Sequence, residues 1–511
     1  ADRVYQMDVF LHVTADAGRN FDYLESGFDK HSDNHALWID PDAPAHLLAG
    51  TDAGLYESYD DGVTWRHFPN MPISQFYKVA VSSREPYYDV LAGAQDLGTL
   101  HGPARTLNVE GVRNQDWNVP YGADGYGVAF DPADPNLFYQ MSQRGNLLRH
   151  HAVSGENVSI RPQPAPGDPP ERWNWDSPIA VSAHVPGRIY FASQRVWRSD
   201  DRGNSWTPVS GDLTRGENRF ELPVANLVRS TDALWDLGAM SAYASLTALS
   251  ESAVDGAVLW TGSDDGLVHV SRNGGESWKA VTPRGLPERA FINDIEASRH
   301  NANAAFVVAD NHKTGDYRPL VFATGDGGGS WKDISGDLPD GVIAWSIQQD
   351  HVEAGLLFLG ADNGVYVSVD GGGHWQKLSN GVPTIPFRDL ALQRRDNDLV
   401  AASFGRGIYV LDDYSPLRQL AALRRSNAQL APAETPFALF DVRDAWWYIP
   451  SVPGQAKGLP TRGSTDWRAA NPAHGVSFTV YIGQSFADAS DQRAQDERRL
   501  ADAGKDCLLY T

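Results

Sequence analysis

The sequence predicts an all-β fold, a β-propeller of seven to eight four-stranded blades followed by the start of a β-rich C-terminal region. Three observations support this fold class. A short box of the form Ser/Thr-x-Asp-x-Gly-x-Ser/Thr-Trp recurs along the chain, as in SVDGGGHW at residues 368–375. The repeating unit is about 40–50 residues long, which is the range of propeller blades. Each unit also contains segments of alternating apolar and polar residues, a pattern typical of β-strands.

The boxes begin at residues 14 (a weaker copy), 58, 199, 271, 324 and 368. We expect each box to form the turn between the third and fourth strands of a blade. The box aspartate would accept hydrogen bonds from its own turn, the glycine would supply a positive φ, and the tryptophan would pack between blades. The box aspartates are therefore expected to be structural rather than catalytic. They are Asp16, Asp60, Asp201, Asp326 and Asp370, with Asn273 in the remaining box.

Eight segments have the pattern of a first strand followed by a polar turn. They cover residues 36–44, 76–86, 126–135, 179–187, 245–256, 292–302, 344–355 and 388–398. The last unit ends at residues 408–413 without a box or a fourth strand. The N-terminal segment could supply the missing strand and close the ring, or it could be the tail of a preceding propeller. The propeller is therefore assigned to residues 1–413, with residues 1–30 open to either interpretation.

The pattern changes after residue 413. Residues 414–432 have leucines at helical spacing with a proline near the start, which predicts a linker helix. Residues 433–511 are expected to form a truncated β-rich region, with strands at 434–450 and 475–483 and a charged helix at the end.

Composition excludes some classes of function. The chain has 511 residues and a formal net charge of −22, so nucleic acid is not expected as a partner. No apolar run reaches the ~20 residues of a membrane span. The chain has one cysteine, Cys507, so it cannot form an intrachain disulfide, and this does not decide its compartment. No cofactor is expected.

The boxes, together with HSDNHALWIDPDAPAHLLAGTDAGLYESYDDGVTW, GAQDLGTLHGP and GIYVLDDYSPLRQL, resemble bacterial BNR or Asp-box repeat proteins. These proteins are described as glycosyl hydrolase-like or sortilin-like, and the resemblance covers about residues 1–485. It implies a secreted or periplasmic protein that acts on a polysaccharide or oligosaccharide. The alternative is a non-catalytic propeller that binds a polypeptide or another ligand. Asp boxes occur in enzymes and in binding proteins alike.

Ligands of propellers usually occupy the face opposite the boxes, where the turns between second and third strands converge. A glycosidase needs two carboxyl groups there, ~5 Å apart for retention or ~6.5–9.5 Å apart for inversion. The candidate catalytic residues are Asp96, Asp176 and Asp264. The candidate ligand-binding residues are Asp52, Gln95, Asp124, Arg144, Trp175, Arg195, Trp197, Trp345, Asp362 and Arg406. Many of these residues are also good hairpin-turn formers, which is the alternative interpretation.

Two further groups suggest specific chemistry. In the extended segment HSDNH, His31, Asp33 and His35 point the same way and could bind a metal ion, or they could form hydrogen bonds at the channel mouth. Arg144, Arg195 and Arg406 occupy equivalent turns in three units. They could bind a carboxylate ligand through bidentate hydrogen bonds, or they could pair with neighbouring aspartates.

Overall fold

The computed structural model describes residues 3–24, 29–223, 227–230, 232, 241–426, 437–452, 467–482 and 489–504. The structure is all-β, built mainly from four-stranded antiparallel sheets, with two short α-helices. None of the helices in these residues is long and apolar enough to cross a membrane.

Two sheets come first in the chain. The N-terminal sheet has three strands, β1 (Val4–Met7), β2 (Leu11–Thr14) and β3 (Asp22–Tyr23). The second sheet has four strands, β4 (Asn34–Ile39), β5 (Leu47–Thr51), β6 (Gly54–Ser58) and β7 (Arg66–His67). We call these two the outer sheets.

Seven further sheets, called sheets I to VII, follow along the chain. Sheet I contains β8 (Phe76–Val81), β9 (Asp89–Ala94), β10 (Gly98–Pro103) and β12 (Asn118–Tyr121), and β11 (Val112–Arg113) lies in the last connection. Sheet II contains β13 (Val128–Asp131), β14 (Asp134–Ser142), β15 (Asn146–His151) and β16 (Glu156–Ser159). Sheet III contains β17 (Ile179–Val181), β18 (Ile189–Ala192), β19 (Val196–Ser199) and β20 (Thr207–Pro208).

The remaining sheets have the same order of strands. Sheet IV contains β21 (Leu246–Glu251), β22 (Leu259–Ser263), β23 (Val268–Ser271) and β24 (Lys279–Ala280). Sheet V contains β25 (Phe291–Ala297), β26 (Ala305–Asn311), β27 (Asp316–Thr324) and β28 (Lys332–Asp333). Sheet VI contains β29 (Ala344–Gln349), β30 (Leu357–Ala361), β31 (Gly364–Ser368) and β32 (Gln376–Lys377). Sheet VII contains β33 (Phe387–Gln393), β34 (Asp398–Ser403) and β35 (Ile408–Leu411).

The first strands of sheets I to VII contact one another in a cycle. Strand β8 contacts β13, and the contacts continue through β17, β21, β25 and β29 to β33. Strand β33 in turn contacts β8, so the cycle closes between sheets VII and I. A hydrogen bond from the Val79 backbone N–H to the Asp389 carboxylate, 2.9 Å long, spans this closure. The first strands therefore surround the centre of the cycle.

The outer sheets lie outside this cycle. Their mutual contact is between β1 and β4, and their shared apolar cluster includes Leu11, Leu47 and Trp65. Of the eight first strands expected from the sequence, the one at residues 36–44 corresponds to β4 and the other seven correspond to the cycle. The N-terminal residues form a sheet of their own, and sheet VII has three strands, so the N-terminal segment does not complete it.

The hydrogen bonds of the Asp boxes confirm that they are structural turns. In sheet III, Asp201 accepts hydrogen bonds from the Ser199 hydroxyl at 2.8 Å, the Ser205 N–H at 2.8 Å and the Ser205 hydroxyl at 2.6 Å. Asp326 in sheet V has the same set of partners. These hydrogen bonds lower the pKa of both carboxyls to about 2, so the turns are held by ionised aspartates.

The box tryptophans link consecutive sheets. The Trp331 indole N–H donates to the Val281 carbonyl at 2.7 Å, and the Trp375 indole N–H donates to the Ile334 carbonyl at 2.8 Å. In both cases the acceptor directly follows the fourth strand of the preceding sheet. Trp206 and Trp278 make the equivalent bonds in sheets III and IV. The boxes of sheets III to VI therefore each attach their own sheet to the preceding one, as the sequence predicted.

Glycines in second strands allow the next sheet to approach closely. A Cβ atom at Gly93 in sheet I would lie 2.2 Å from the Tyr126 carbonyl oxygen, and one at Gly262 in sheet IV would lie 2.3 Å from Ile292. Both contacts are too short for any side chain, so these positions require glycine. Gly50 occupies the same place in the second outer sheet. A Cβ atom added there would have the Ala36 Cβ of the same sheet as its nearest neighbour, at 3.6 Å.

The chain divides into two compact units. The first contains Ala1–Tyr414 together with Tyr448–Pro472, so a segment of the expected C-terminal region groups with the sheets. Within that unit β11 pairs with β37 (Arg468–Ala469). The second unit contains Ser415–Trp447 and Ala473–Thr511. It includes the helices α1 (Ser415–Ser426) and α2 (Ala489–Asp502) and the paired strands β36 (Phe437–Leu439) and β38 (Val480–Ile482). The end of the expected linker helix, after residue 426, lies outside the described residues.

Candidate functional site

Five first strands of the cycle carry a β-bulge at the same place. In sheets I, IV, V, VI and VII the register with the second strand shifts by one residue near the start of the first strand. A bulge leaves one residue unpaired and re-aims its side chain. The unpaired residues are Tyr77, Thr247, Asn293, Trp345 and Arg388. All five line one cavity.

This cavity, which we call the aromatic chamber, has a volume of about 210 Å³. The five bulged residues are joined by side chains from the first strands, from the segments that precede them and from the connection between β26 and β27. Within the described ranges the other lining residues are Lys78, Tyr126, Asn174, Trp175, Asp176, Ser241, Phe291 and Lys313. The chamber therefore combines aromatic faces, amides, hydroxyls and charged groups.

Aromatic side chains form one continuous wall of the chamber. The Tyr77 and Tyr126 rings have centroids 4.5 Å apart, and the Tyr126 and Trp175 rings meet edge to face at 6.0 Å. The Tyr77 hydroxyl donates to the Gln95 side-chain oxygen at 2.5 Å, which fixes the ring. The Trp175 backbone N–H donates to the Ser241 hydroxyl at 2.9 Å. The wall is therefore held in place before any ligand enters.

Arg388 lies on another side of the aromatic chamber. Its guanidinium carbon lies 3.7 Å from the Trp345 ring centroid and 4.7 Å from that of Phe404, so the group lies against two aromatic rings. Burial lowers the pKa of Arg388 below the ordinary value of a guanidinium group. That ordinary value is so high that the group stays charged at neutral pH.

A second cavity of about 150 Å³ adjoins the first and shares Lys78, Asp176, Thr247 and Asn293 with it. We call it the acidic chamber, because Asp176, Asp294 and Asp389 border it. In sheets I, IV, V and VII the residue directly after the bulge borders this chamber. These residues are Lys78, Ala248, Asp294 and Asp389.

Burial controls the charges of the acidic chamber. It raises the pKa of Asp176 to about 6 and that of Asp294 to about 7, although the Lys78 ammonium partly offsets both shifts. Burial also opposes the charge of Lys78, but Asp389, Asp176 and Asp294 outweigh it and raise the lysine pKa. Asp294 and Asp389 also accept hydrogen bonds from the next sheets, from the Ile347 and Val79 N–H groups, each at 2.9 Å.

The candidate catalytic residue Asp96 lies in the turn between β9 and β10, beside Asp124. The Asp96 backbone N–H donates to Asp124 at 2.9 Å, and Gln95 and Gln143 donate to Asp124 at 3.1 and 2.5 Å. Burial, followed by the neighbouring Asp124 carboxyl, raises the pKa of Asp96 to about 7. Asp96, Asp124 and Gln95 thus form one network, connected to the aromatic chamber through Tyr77.

Asp264 and Asp362 accept hydrogen bonds from the segments that lead into the first strands of their own sheets. Asp264 is 6% exposed and accepts hydrogen bonds from the Ser245 N–H at 2.9 Å and the Ser245 hydroxyl at 3.0 Å. Asp362 accepts one from the Ile343 N–H at 3.2 Å. Burial raises the pKa of Asp264 to about 7 and also raises that of Asp362. Neither residue lines either chamber, in agreement with the turn interpretation. Of the three candidate catalytic residues, Asp176 alone reaches the aromatic chamber.

His31, Asp33 and His35 do not assemble into a ligand set. Asp33 has a φ of 60°, which breaks the extended backbone on which the expected alternation depended. His35 Nε2 instead lies 2.5 Å from the carboxylate of Asp52, and His31 Nδ1 lies 3.9 Å from that of Asp33. Within the described part of the chain no group of three or more His, Cys, Asp or Glu residues could hold a metal ion.

The three turn arginines do not converge on one ligand. Arg195 is bound by Glu171, with Nε 2.9 Å from the carboxylate, and its guanidinium lies 4.6 Å from the ring of Trp197. Arg144 lies 5.6 Å from the ring of Trp175, and Arg406 is exposed. Trp197 is buried and packs among the core residues of sheets II and III. The arginine that enters the aromatic chamber is Arg388.

Sequence reasoning found three residues of the aromatic chamber, Asp176, Trp175 and Trp345, and missed Arg388, Lys78 and Lys313. A signal was present in FYKVAV, FINDIEA and FRDLALQ, where a charged residue interrupts each apolar first strand near its start. Burying a charged side chain in an apolar strand costs free energy unless the side chain faces a cavity or an ionic partner. Comparing these three strands would have indicated the central site.

The chain was compared with known proteins. No protein-family model matches it, and no curated protein matches it. One similar solved structure is the extracellular domain of a proposed one-component system from B. thetaiotaomicron, with 10% identity and a TM-score of 0.43. The match covers 66% of this chain and spans 38% of the length of that one. Another is the computationally designed Ika8 protein, with 13% identity, a TM-score of 0.37 and coverage of 76% and 98%.

Proposed function

We propose that sheets I to VII form a seven-bladed β-propeller and that the aromatic chamber at its centre binds the end of a carbohydrate chain. One observation carries this proposal: the bulges of five sheets direct Tyr77, Thr247, Asn293, Trp345 and Arg388 into one cavity. Five repeats of the same backbone irregularity around one cavity indicate a site shaped for a ligand.

The propeller part is supported by the closed cycle of first-strand contacts and by the tryptophan bonds between consecutive sheets. Radial repetition of four-stranded sheets around a centre is the arrangement that defines propellers. In this arrangement the outer sheets are not blades of the same ring, because sheets VII and I meet directly.

The carbohydrate part is supported by the lining of the aromatic chamber. The half-buried Trp175 offers apolar surface for the C–H side of a sugar ring, and the polar side chains of Asn174 and Asn293 also lie in the lining. The volume of about 210 Å³ lies below the ~300–1,000 Å³ of sites for drug-sized ligands. The chamber therefore suits one terminal sugar residue rather than an internal stretch of chain.

Binding without cleavage is the better-supported form of this function. Glycoside hydrolysis usually takes two carboxyl groups that flank the scissile bond. Of the described residues lining the aromatic chamber, Asp176 is the one carboxylic acid. The other two candidates, Asp96 and Asp264, hold turns of sheets I and IV.

A glycoside hydrolase remains a second candidate because of Asp176. This carboxyl borders both chambers, and its pKa of about 6 suits a general acid near neutral pH. Asp294 and Asp389 in the acidic chamber are the carboxyls that would have to act with it. A secreted or periplasmic location belongs to the proposal and rests on the resemblance to Asp-box proteins.

A glycan array followed by titration calorimetry tests the proposal on the 511-residue chain. We expect binding of defined glycan ends, and at least a tenfold loss of affinity in Trp175→Ala. Trp38→Ala is the control, because Trp38 is 47% exposed on an outer sheet and does not line the chamber. An equal loss of affinity in Trp175→Ala and Trp38→Ala would contradict the proposal. So would the absence of glycan binding by the wild type.

Incubation with the bound glycans separates the two candidates. Unchanged glycans support a binding protein. Release of reducing ends by the wild type and its loss in Asp176→Asn would instead establish the hydrolase. If the wild-type chain binds polypeptides and no glycan, both the glycan-binding and the hydrolase candidates are refuted, and the polypeptide-binding alternative is favoured.

A further inference from the structure

The guanidinium group of Arg388 is held in place at the aromatic chamber but is not neutralised there. Trp345 and Phe404 contact it at 3.7 and 4.7 Å, so stacking and cation–π attraction fix its plane. Its Nε atom is buried and has no hydrogen-bond partner, and the same is true of the Trp345 indole nitrogen. Two residues that line one cavity therefore each contain a buried donor without an acceptor.

No carboxylate in the described part of the chain lies within 4.0 Å of the Arg388 nitrogens. Several other half-buried arginines of this protein are paired with carboxylates. Arg202 Nε lies 2.8 Å from Asp131, Arg289 lies 2.7 Å from Glu217, and Arg195 binds Glu171. Arg388, in a chain with a net charge of −22, lines a cavity without such a partner and differs in this from the three paired arginines. A cationic side chain without a protein carboxylate partner at a cavity wall is favourably placed to pair with an anionic ligand group.

Further cations line the same chamber. The Lys313 ammonium lies 4.9 Å from the Phe291 ring centroid, and Lys78 borders both chambers. Among the residues that the structure describes, the lining contains three cationic side chains and one carboxylic acid, Asp176. The nearby Asp310 is bound by His312 and does not line the chamber. Because Lys78 also faces Asp294 and Asp389 of the acidic chamber, the cationic character of the aromatic chamber comes from Arg388 and Lys313.

We infer that the aromatic chamber selects a terminal sugar residue that carries a carboxylate, as in a uronic acid, and that Arg388 and Lys313 bind this carboxylate. A planar carboxylate matches the donor edge of a guanidinium, and the rings against Arg388 leave that edge as its polar surface. The half-buried Trp175 packs against the sugar ring, and the buried Tyr126 supports Trp175. This inference rests on the proposed function, because it names the class of glycan that the same site binds.

Calorimetry with trigalacturonate and with its methyl ester tests the inference on the 511-residue chain. The two probes share one carbohydrate skeleton and differ in the charge of their carboxyl groups. We expect the acid to bind at least tenfold more tightly than the ester, and Arg388→Gln to remove most of this difference. A sulfated trisaccharide distinguishes a planar carboxylate from anions in general, and its binding as tightly as the acid would overturn the carboxylate assignment.

Two further variants distinguish a loss of binding from a loss of folding. Lys313→Gln changes an exposed side chain and should weaken binding of the acid about threefold to tenfold while the unfolding temperature stays the same. Arg406→Gln is the matched control, because Arg406 is exposed and does not line the chamber. It should leave the affinity unchanged.

The outcomes separate this inference from the function on which it rests. Equal binding of acid and ester overturns the inference while carbohydrate binding stands. Binding of neither probe, nor of any glycan on the array, overturns the proposed function as well. Binding of a peptide through its terminal carboxylate, with no binding of trigalacturonate, overturns both in favour of a polypeptide ligand.

Discussion

The guanidinium carbon of Arg388 lies 3.7 Å from the centroid of the Trp345 ring, and both residues are the bulged residues of neighbouring first strands. A cation over a desolvated aromatic face is stabilised by up to about 2 kcal/mol. Trp345 therefore positions Arg388 as well as lining the chamber.

Replacing Trp345 should release Arg388. We expect Trp345→Ala to weaken binding of trigalacturonate by about 1–2 kcal/mol, roughly fivefold to thirtyfold, because the stacked cation loses its support. Trp345→Phe restores an aromatic face and should recover most of the affinity. Calorimetry measures both values. Equal losses in the two variants would show that the tryptophan acts through something other than the stack.

The affinity for an acidic ligand should depend on the ionisation of Asp176. Burial raises the pKa of this carboxyl to about 6, with Lys78 and Arg388 lowering it and Asp389 raising it. Above pH 6 its negative charge repels the ligand carboxylate, and below pH 6 the neutral acid does not. Trigalacturonate should therefore bind more tightly at pH 5 than at pH 7.5. Calorimetry of Asp176→Asn should give a smaller ratio of the two affinities, and an unchanged ratio would refute this role.

Stability should fall as the pH rises through the titration range of Asp294. Its folded-state pKa of about 7 exceeds the ordinary value of 3.8, so the folded protein holds a proton that the unfolded chain has released. The contribution is complete below about pH 4 and is lost as the pH rises through 7. In guanidinium titrations at pH 4.5, 6 and 7.5, Asp294→Asn should show a shallower decline than wild type. The exposed Asp42→Asn is the control and should follow the wild type.

Close packing between sheets I and II should make Gly93 irreplaceable. A Cβ atom there would lie 2.2 Å from a backbone oxygen of Tyr126, which cannot move aside cheaply. We expect Gly93→Ala to lower the free energy of unfolding by about 2–3 kcal/mol. Gly50→Ala, at the matching position of the outer sheet, meets its nearest atom at 3.6 Å and should change stability by less than about 0.5 kcal/mol. Chemical denaturation measures both, and equal effects would contradict the packing argument.

The Asp-box tryptophans should matter for stability and not for binding. Trp375→Phe removes the 2.8 Å hydrogen bond to the Ile334 carbonyl, which then lacks that buried donor. We expect a loss of about 1–3 kcal/mol and an unchanged affinity for the glycan ligand. Trp447→Phe, at a residue that is 92% exposed, should change neither quantity. A loss of affinity in Trp375→Phe would link the box to the site.

The sequence by itself determined the repeat and its local chemistry. Boxes such as the one from Ser199 to Trp206 contain all the atoms of their own hydrogen-bonded turn, so the role of Asp201 could be read from eight residues. The alternation of apolar and polar residues likewise indicated every first strand of the cycle, because successive side chains of a strand point to opposite faces and one face is more buried than the other.

The tertiary structure decided the position of the site and the members of the cycle. A bulge exists only relative to a pairing partner, so the sequence around Arg388 could not show that its side chain turns toward Trp345. Arg195, chosen for its turn position, is neutralised by Glu171, 24 residues away in the sequence. Seven first strands rather than eight surround the centre because β33 packs directly on β8. Contacts between residues as distant as Val79 and Asp389 depend on how the sheets are arranged, which no local pattern encodes.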